Sequence, residues 1–269
     1  MRIILRIAAV VFTVGFAWAG SPPRAVSLSP AITELICKLG GLERLAGRSS
    51  ACDYPAEVAS LPVAGDFASP SVEKIAAIGP DMVVSDVFQD PEAVKLMKSW
   101  GIDVECLPLN SLDDYEKATS RLGELLDLKE NAAKEVERTR AERKKLAAEP
   151  VANPVKVLLL FWDSPPVSCG KRSFLNDYLA LAGGVSVTGE ADEGYYYPST
   201  EVLVQAAPEV VLCPETQGMT LENVRSWTTV PAVKNKRIHE LNAADSQVVF
   251  RMSPRWVEAV AILKKLLAE

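Results

Sequence analysis

The chain has 269 residues, 48% apolar and 24% charged, with a net charge of −6. That balance fits a globular protein of one large or two modest domains, and the acidic excess argues against a nucleic-acid binder, which needs clustered Lys and Arg. The single histidine, His239, leaves no His-rich metal centre and only one candidate base for a Ser-His-Asp triad.

In chain order, residues 1–19 read as an export signal. Arg2 and Arg6 give a basic start, Ile7 to Phe16 an apolar stretch, and Ala17-Trp18-Ala19 a small-x-small cleavage site. Ten apolar residues at 1.5 Å each reach about half of the ~30 Å hydrocarbon core, too short for a membrane anchor. The first cysteine is Cys37, so no lipid-acceptor cysteine stands at the cleavage point. The expectation is a freely soluble periplasmic protein, cleaved near Ala19, whose charge becomes −8 once Arg2 and Arg6 are removed. Export places Cys37, Cys52, Cys106, Cys169 and Cys213 in an oxidising compartment. Five is an odd number and no CxxC spacing occurs, so a redox motif has no support. Cys106 and Cys213 lie in apolar runs and are expected to be inert core thiols.

Ala25-Val26-Ser27-Leu28 predicts a strand and Pro30 to Leu39 a helix stopped by Gly40-Gly41. Met82-Val83-Val84 and Val104 to Leu107 predict two further strands around a helix near Pro91–Trp100. Such alternation predicts parallel strands with crossover helices. After a helical stretch from Leu112 to Leu126, Lys129 to Ala148 runs without Gly or Pro and with alternating charges, predicting a solvated helix of about 30 Å. Pro150 and Pro154 end it, and Val155 to Trp162 opens a second, strand-rich half.

An internal repeat divides the chain at that helix. Pro70-Ser71-Val72-Glu73 to Pro80-Asp81-Met82-Val83-Val84 matches Pro198-Ser199-Thr200-Glu201 to Pro208-Glu209-Val210-Val211-Leu212. Each reads Pro-Ser-x-Glu, a short apolar helix, Pro-acid and a buried strand. Leu35–Gly41 and Leu179–Gly184 form a weaker parallel of helices closing on Gly-Gly. The expected organisation is α/β: an N-terminal lobe over 20–127, a connecting helix over 128–150 and a similar C-terminal lobe over 151–269. Both lobes carry mainly parallel sheets, and one long rigid helix joins them beside a ligand cleft.

From Arg24 to Leu267 the chain resembles the periplasmic substrate-binding proteins for cobalamin, ferric siderophores and haem. The resemblance is carried by Arg24-Ala25-Val26-Ser27-Leu28-Ser29-Pro30-Ala31-Ile32-Thr33-Glu34, by Cys52-Asp53-Tyr54-Pro55, and by Val72-Glu73-Lys74-Ile75 with Pro80-Asp81-Met82-Val83. Ser168-Cys169-Gly170-Lys171, and Val230-Pro231-Ala232-Val233-Lys234 with Pro254-Arg255, continue it. It implies two lobes on one long helix, no chemistry on the ligand, and delivery to an ABC importer permease in the inner membrane. The motifs Leu28-Ser29-Pro30-Ala31-x-Thr33-Glu34-Leu35 and Asp53-Tyr54-Pro55 are most similar to the cobalamin-binding members. The implied ligand is therefore a corrinoid, with a ferric siderophore or haem as the alternative, and the implied state is a monomer.

The resemblance implies that Glu73 and Glu201, one per repeat, pair with arginines of the permease, fixing orientation more than affinity. Each also sits in a first helical turn, where a carboxylate favours the helix dipole by roughly 0.3–1 kcal/mol. Six residues earlier, Phe67 and Tyr195 are the aromatic positions implied for the cleft. Tyr196 belongs to the same Tyr195-Tyr196-Tyr197 run, whose rings suit a planar macrocycle; tyrosine could instead reach a haem iron. Asp245 and Arg251, in a predicted loop after the strand at Arg237–Leu241, are implied to hydrogen-bond the ligand, and Arg255 to form an ion pair at the start of the last helix. Where cobalamin-binding members carry rings, this chain has Ala51, Asp86 and Val167, leaving Trp162 and Phe88 as substitutes. Asp53-Tyr54 reads as turn chemistry, and His239 as an ordinary strand residue. No phosphate loop, nucleophile elbow or metal cluster supports an enzyme; a sensor using the same lobes is the other competing class.

Overall fold

The computed structural model describes residues 22–148, 151–215 and 219–269; the export segment 1–19 and the end of the predicted connector, 149–150, lie outside them. The first half alternates strand and helix: β1 (Ala25–Ser27), α1 (Pro30–Lys38), β2 (Leu45–Arg48), α2 (Val72–Ile78), β3 (Met82–Ser85), α3 (Pro91–Ser99), β4 (Asp103–Cys106) and α4 (Leu112–Leu125). Its four strands pair in the order β2-β1-β3-β4, all parallel. Helix α5 (Lys129–Ala147) then leads to β5 (Val155–Asp163), β6 (Pro166–Cys169), α6 (Leu175–Ala182), β7 (Gly184–Ser186), β8 (Tyr195–Tyr196), α7 (Thr200–Ala206) and β9 (Val210–Pro214). The short helices α8 (Glu222–Arg225) and α9 (Pro231–Lys234), β10 (Ile238–Leu241), α10 (Ala243–Val249) and α11 (Trp256–Ala268) complete it.

The second sheet runs β10-β9-β5-β6-β8. Strands β10, β9 and β5 are parallel, β7 pairs in parallel with the first half of β5, and β6 turns back antiparallel between β5 and β8. Two mainly parallel α/β sheets thus come before and after α5 in the chain. Leu158, Leu159 and Leu160 are fully buried because β5 is covered on both faces.

The repeat is structural as well as textual. Ser71 and Ser199 cap α2 and α7, each side chain accepting an N–H three residues on, from Lys74 and Val202. Each helix ends in a left-handed residue, Gly79 at φ 64° and Ala207 at φ 50°. The acid after each proline then clasps the neighbouring strand. Asp81 accepts the Arg24 N–H at 2.7 Å and donates its own N–H to Arg24 O at 2.9 Å. Glu209 does the same with Lys156, at 2.9 and 2.8 Å.

Three apolar clusters result, and strand alternation sorts residues among them. Val26 and Val83 face one outer core, and Leu160 and Val211 the other. The inner faces share a single cluster containing Ile32, Leu35, Tyr115 and Leu122 from the first half and Leu159, Tyr178, Trp256 and Leu263 from the second. The connecting helix is therefore not the only join. Asp177, in α6, accepts the Leu112 N–H at the start of α4 (2.7 Å), and Arg138, in α5, reaches Pro254 O (3.3 Å).

Two expectations change. Cys106 is exposed, not core, because β4 is the edge strand of its sheet and is exposed at both its ends; Cys213 is fully buried. The predicted loop 242–251 is mostly α10, which Asn242 starts by accepting the Asp245 N–H at 2.9 Å. All five cysteines are unpaired in the structure.

Candidate functional site

In open α/β sheets ligands bind at the C-terminal ends of the strands, and in this chain residues that follow β1, β2 and β10 meet across the seam between the two halves. The polar floor of this seam comes from both halves. Glu34, on α1, has a side chain only 2% exposed. It receives Arg251 Nη1 at 2.7 Å, Arg255 Nε at 2.9 Å and Arg255 Nη2 at 2.7 Å. Asp53, in the loop after β2, accepts from Arg251 Nη1 at 2.9 Å and from Gln247 Nε2 at 2.8 Å. The Arg255 guanidinium lies 4.3 Å from the centre of the Tyr54 ring. Beside this network, a cavity of about 280 Å³ is lined by Glu34, Cys37, Tyr54, Pro254 and Arg255 among others. Burial and the nearby Glu57 and Glu34 push the Cys37 thiol up to about 11, so it stays protonated.

An aromatic row adjoins Arg251. Phe161 meets Tyr195 edge-on at 5.7 Å and Phe250 edge-on at 5.6 Å, and Phe250 immediately precedes Arg251. Tyr195 is 67% exposed. Trp162 and Tyr196 do not join this row, because each is the strand neighbour of a ring in it and so faces the other way. Trp162 packs on the outer core and donates its indole N–H to Ser164 O at 2.8 Å. Phe67 is half-buried in the connection before α2.

Asp245 also stands apart from Arg251. Its carboxylate accepts from Asn242 Nδ2 at 3.0 Å, inside the cap of its own helix. The residue one turn before Arg251 is Gln247, and Gln247 shares Asp53 with it. Glu34, Gln247, Phe161 and Phe250 are thus site residues that sequence reasoning missed. The i,i+4 spacing of Gln247 and Arg251 was the available signal, hidden by reading a loop. Glu73 and Glu201 are both exposed. Glu73 accepts from the Ser71 hydroxyl at 3.1 Å, while its own backbone N–H and Ser199 hold Glu201 below the usual carboxylate range.

His239 sits in β10, its ring lowered in pKa chiefly by burial. Among the described residues, no group of three or more His, Cys, Asp or Glu could hold a metal, and no helix is long and apolar enough to cross a membrane.

The chain is 27% identical over 212 residues to the vitamin B12-binding protein of Salmonella choleraesuis, covering 78% of this chain and 79% of that one. Among solved structures, the periplasmic heme-binding protein HutB of Vibrio cholerae superposes with a TM-score of 0.79 at 21% identity, covering 92% of this chain and 99% of that one. The periplasmic vitamin B12-binding protein BtuF of Vibrio cholerae gives 0.75 at 21% identity, covering 92% and 97%. The family model described as periplasmic binding protein matches residues 26–244. That match, over more than half of the chain, means that it belongs to the periplasmic binding protein family, as a substrate-binding protein of the ABC importer class and not an enzyme.

Proposed function

We propose that this protein captures a corrinoid in the inter-lobe cleft and passes it to an inner-membrane ABC permease. The observation that carries the reading is the Tyr195–Phe161–Phe250 row ending at Arg251 and Gln247. Flat apolar rings cover a macrocycle while adjacent polar side chains fix its edges. The sequence similarity to vitamin B12-binding proteins supports the corrinoid, and the likeness in fold to a heme-binding protein supports haem as the second reading. A haem reading is favoured by the exposed Tyr195 and Tyr197 hydroxyls, which suit iron.

In this reading Tyr195 and Arg251 contact the ligand, and Phe67 closes the facing wall. Trp162, Tyr196 and Asp245 have supporting roles, in the outer core, β8 and the α10 cap. Glu73 and Glu201 meet cationic side chains of the permease; their equivalent places in the repeat and their exposure support this. Residues 1–19 act as an export signal, delivering a monomer to the periplasm.

Calorimetric titration of the protein starting at Gly20 with cyanocobalamin, haem and a ferric siderophore tests the ligand. Saturable 1:1 binding of cyanocobalamin alone is expected; binding of haem or siderophore alone overturns the corrinoid reading. Glu73→Arg with Glu201→Arg should abolish uptake while leaving binding intact, and unchanged uptake defeats the docking assignment.

A further inference from the structure

Asp86 is the first residue after β3, and Ser29 caps α1 just after β1. Strand β1 lies between β2 and β3, so the chain leaves β1 toward one neighbour and returns on the other. The crevice at the ends of β1 and β3 is thus the switch point of this sheet, where ligands of open α/β sheets bind. At this crevice two adjacent polar atoms are buried without a hydrogen-bond partner, Asp86 Oδ1 and Ser85 Oγ. Ser85 itself is 0% exposed. Burial, the largest influence on the Asp86 carboxyl, raises it above its ordinary range. Buried polar atoms are nearly always satisfied, so a retained acceptor without a donor calls for an occupant that brings one.

The arginines of the seam and of β2 are already engaged. Arg251 and Arg255 are held by Glu34 and Asp53. Arg48 donates to the carbonyls of Val58, Ser49, Cys52 and Ala59. An anionic group binding Arg251 or Arg255 would have to displace a carboxylate already held there.

We propose that the cleft selects a cargo presenting N–H donors, such as primary amides, over one presenting carboxylates, and that Asp86 is the residue that reads the donor. This rests on the cleft being the cargo site. It makes Asp86 a specificity-determining residue at a position where an aromatic ring would offer only apolar surface. If Asp86 served only the positive end of α1, neutralising it would lower stability and leave ligand preference unchanged.

The test compares two probes of the same shape, cyanocobalamin and the monocarboxylic acid formed by hydrolysing one of its propionamides, with haem as a third. Titrations use the wild type, Asp86→Asn and Asp86→Ser. The amide form is expected to bind wild type about tenfold or more tightly than the acid, the worth of one hydrogen bond to a charged group. Both variants should shrink that ratio several-fold. Equal binding of amide and acid, or preference for the acid, overturns the inference and leaves the corrinoid reading standing; haem binding with no response to cyanocobalamin overturns the corrinoid reading and the inference with it. An unchanged ratio in Asp86→Asn overturns the role of Asp86. Silence toward all three macrocycles overturns the cargo reading and the inference with it. Should either variant fail to fold, the other variant and the wild-type ratio still decide.

Discussion

Replacing Glu34 with Gln keeps its size and one acceptor but removes the charge on which the inter-lobe seam converges. Three charge-assisted hydrogen bonds at 2.7, 2.9 and 2.7 Å end on this one carboxylate, whose side chain is 2% exposed. Breaking a buried ion pair by removing one partner costs about 3–5 kcal/mol. Here the cost is reduced twice. Arg251 retains Asp53 and Arg255 retains the Tyr54 ring. The two arginine side chains are 15% and 19% exposed, so water compensates in part. The expected loss is therefore about 2–3 kcal/mol, or roughly 4–6 °C in Tm for a chain of this size. Thermal unfolding followed by circular dichroism measures it, with Glu130→Gln as reference, because the exposed Glu130–Lys134 pair should contribute no measurable shift. The deficit of Glu34→Gln should also persist in 1 M salt, since screening barely reaches buried charges. A shift no larger than the reference, or one erased by salt, would refute the seam as an energetic join.

Three other outcomes follow from the same structure. Gly79→Ala should cost about 1 kcal/mol by denaturant unfolding, because its backbone is left-handed although no atom lies within 4 Å of an added Cβ; Ala207→Gly, at the matching end of α7, should be neutral or stabilising by up to about 1 kcal/mol. Asp86→Asn should be more stable than wild type at pH 7. A carboxyl raised by burial destabilises the fold above its ordinary titration range, so the gain should vanish as the pH falls below that range; a variant less stable at pH 7 would contradict this. Iodoacetamide on the native protein at pH 8 should modify the exposed Cys106 first. Cys213, pushed up to about 12 by burial, and the buried Cys52 and Cys169 should react only after denaturant is added; mass spectrometry of peptides reads the order.

Short-range patterns were legible in the sequence and cross-chain geometry was not. Ser71 and Ser199 marked the helices they cap, and the two Pro-acid pairs marked the strands that follow, because caps and clasps depend on neighbours in the chain. Phe161 and Trp162 could not be ranked as ligand-facing rings, since strand phase relative to the shared core decides which one meets Tyr195. Asp245 looked like a ligand contact only while Asn242 was read as loop; once Asn242 caps α10, the carboxylate belongs to the cap and Gln247 takes the outward place. Glu34 gave no sign of its role because both its partners lie more than 200 positions later.

That separation has a consequence for how the chain reaches its native state. Trp256 and Leu263 of the last helix complete the same cluster that Ile32 and Leu35 of the first helix begin. Glu34 finds no cation at the seam until residues 251 and 255 are present, 217 and 221 positions along. The first half can form its own sheet but cannot close its inner face before nearly the whole chain is available. Contacts this distant slow folding through the entropy of closing the intervening loop. Such a chain stays unfinished longest while it is still being extended, and its last helix is the piece that closes the first.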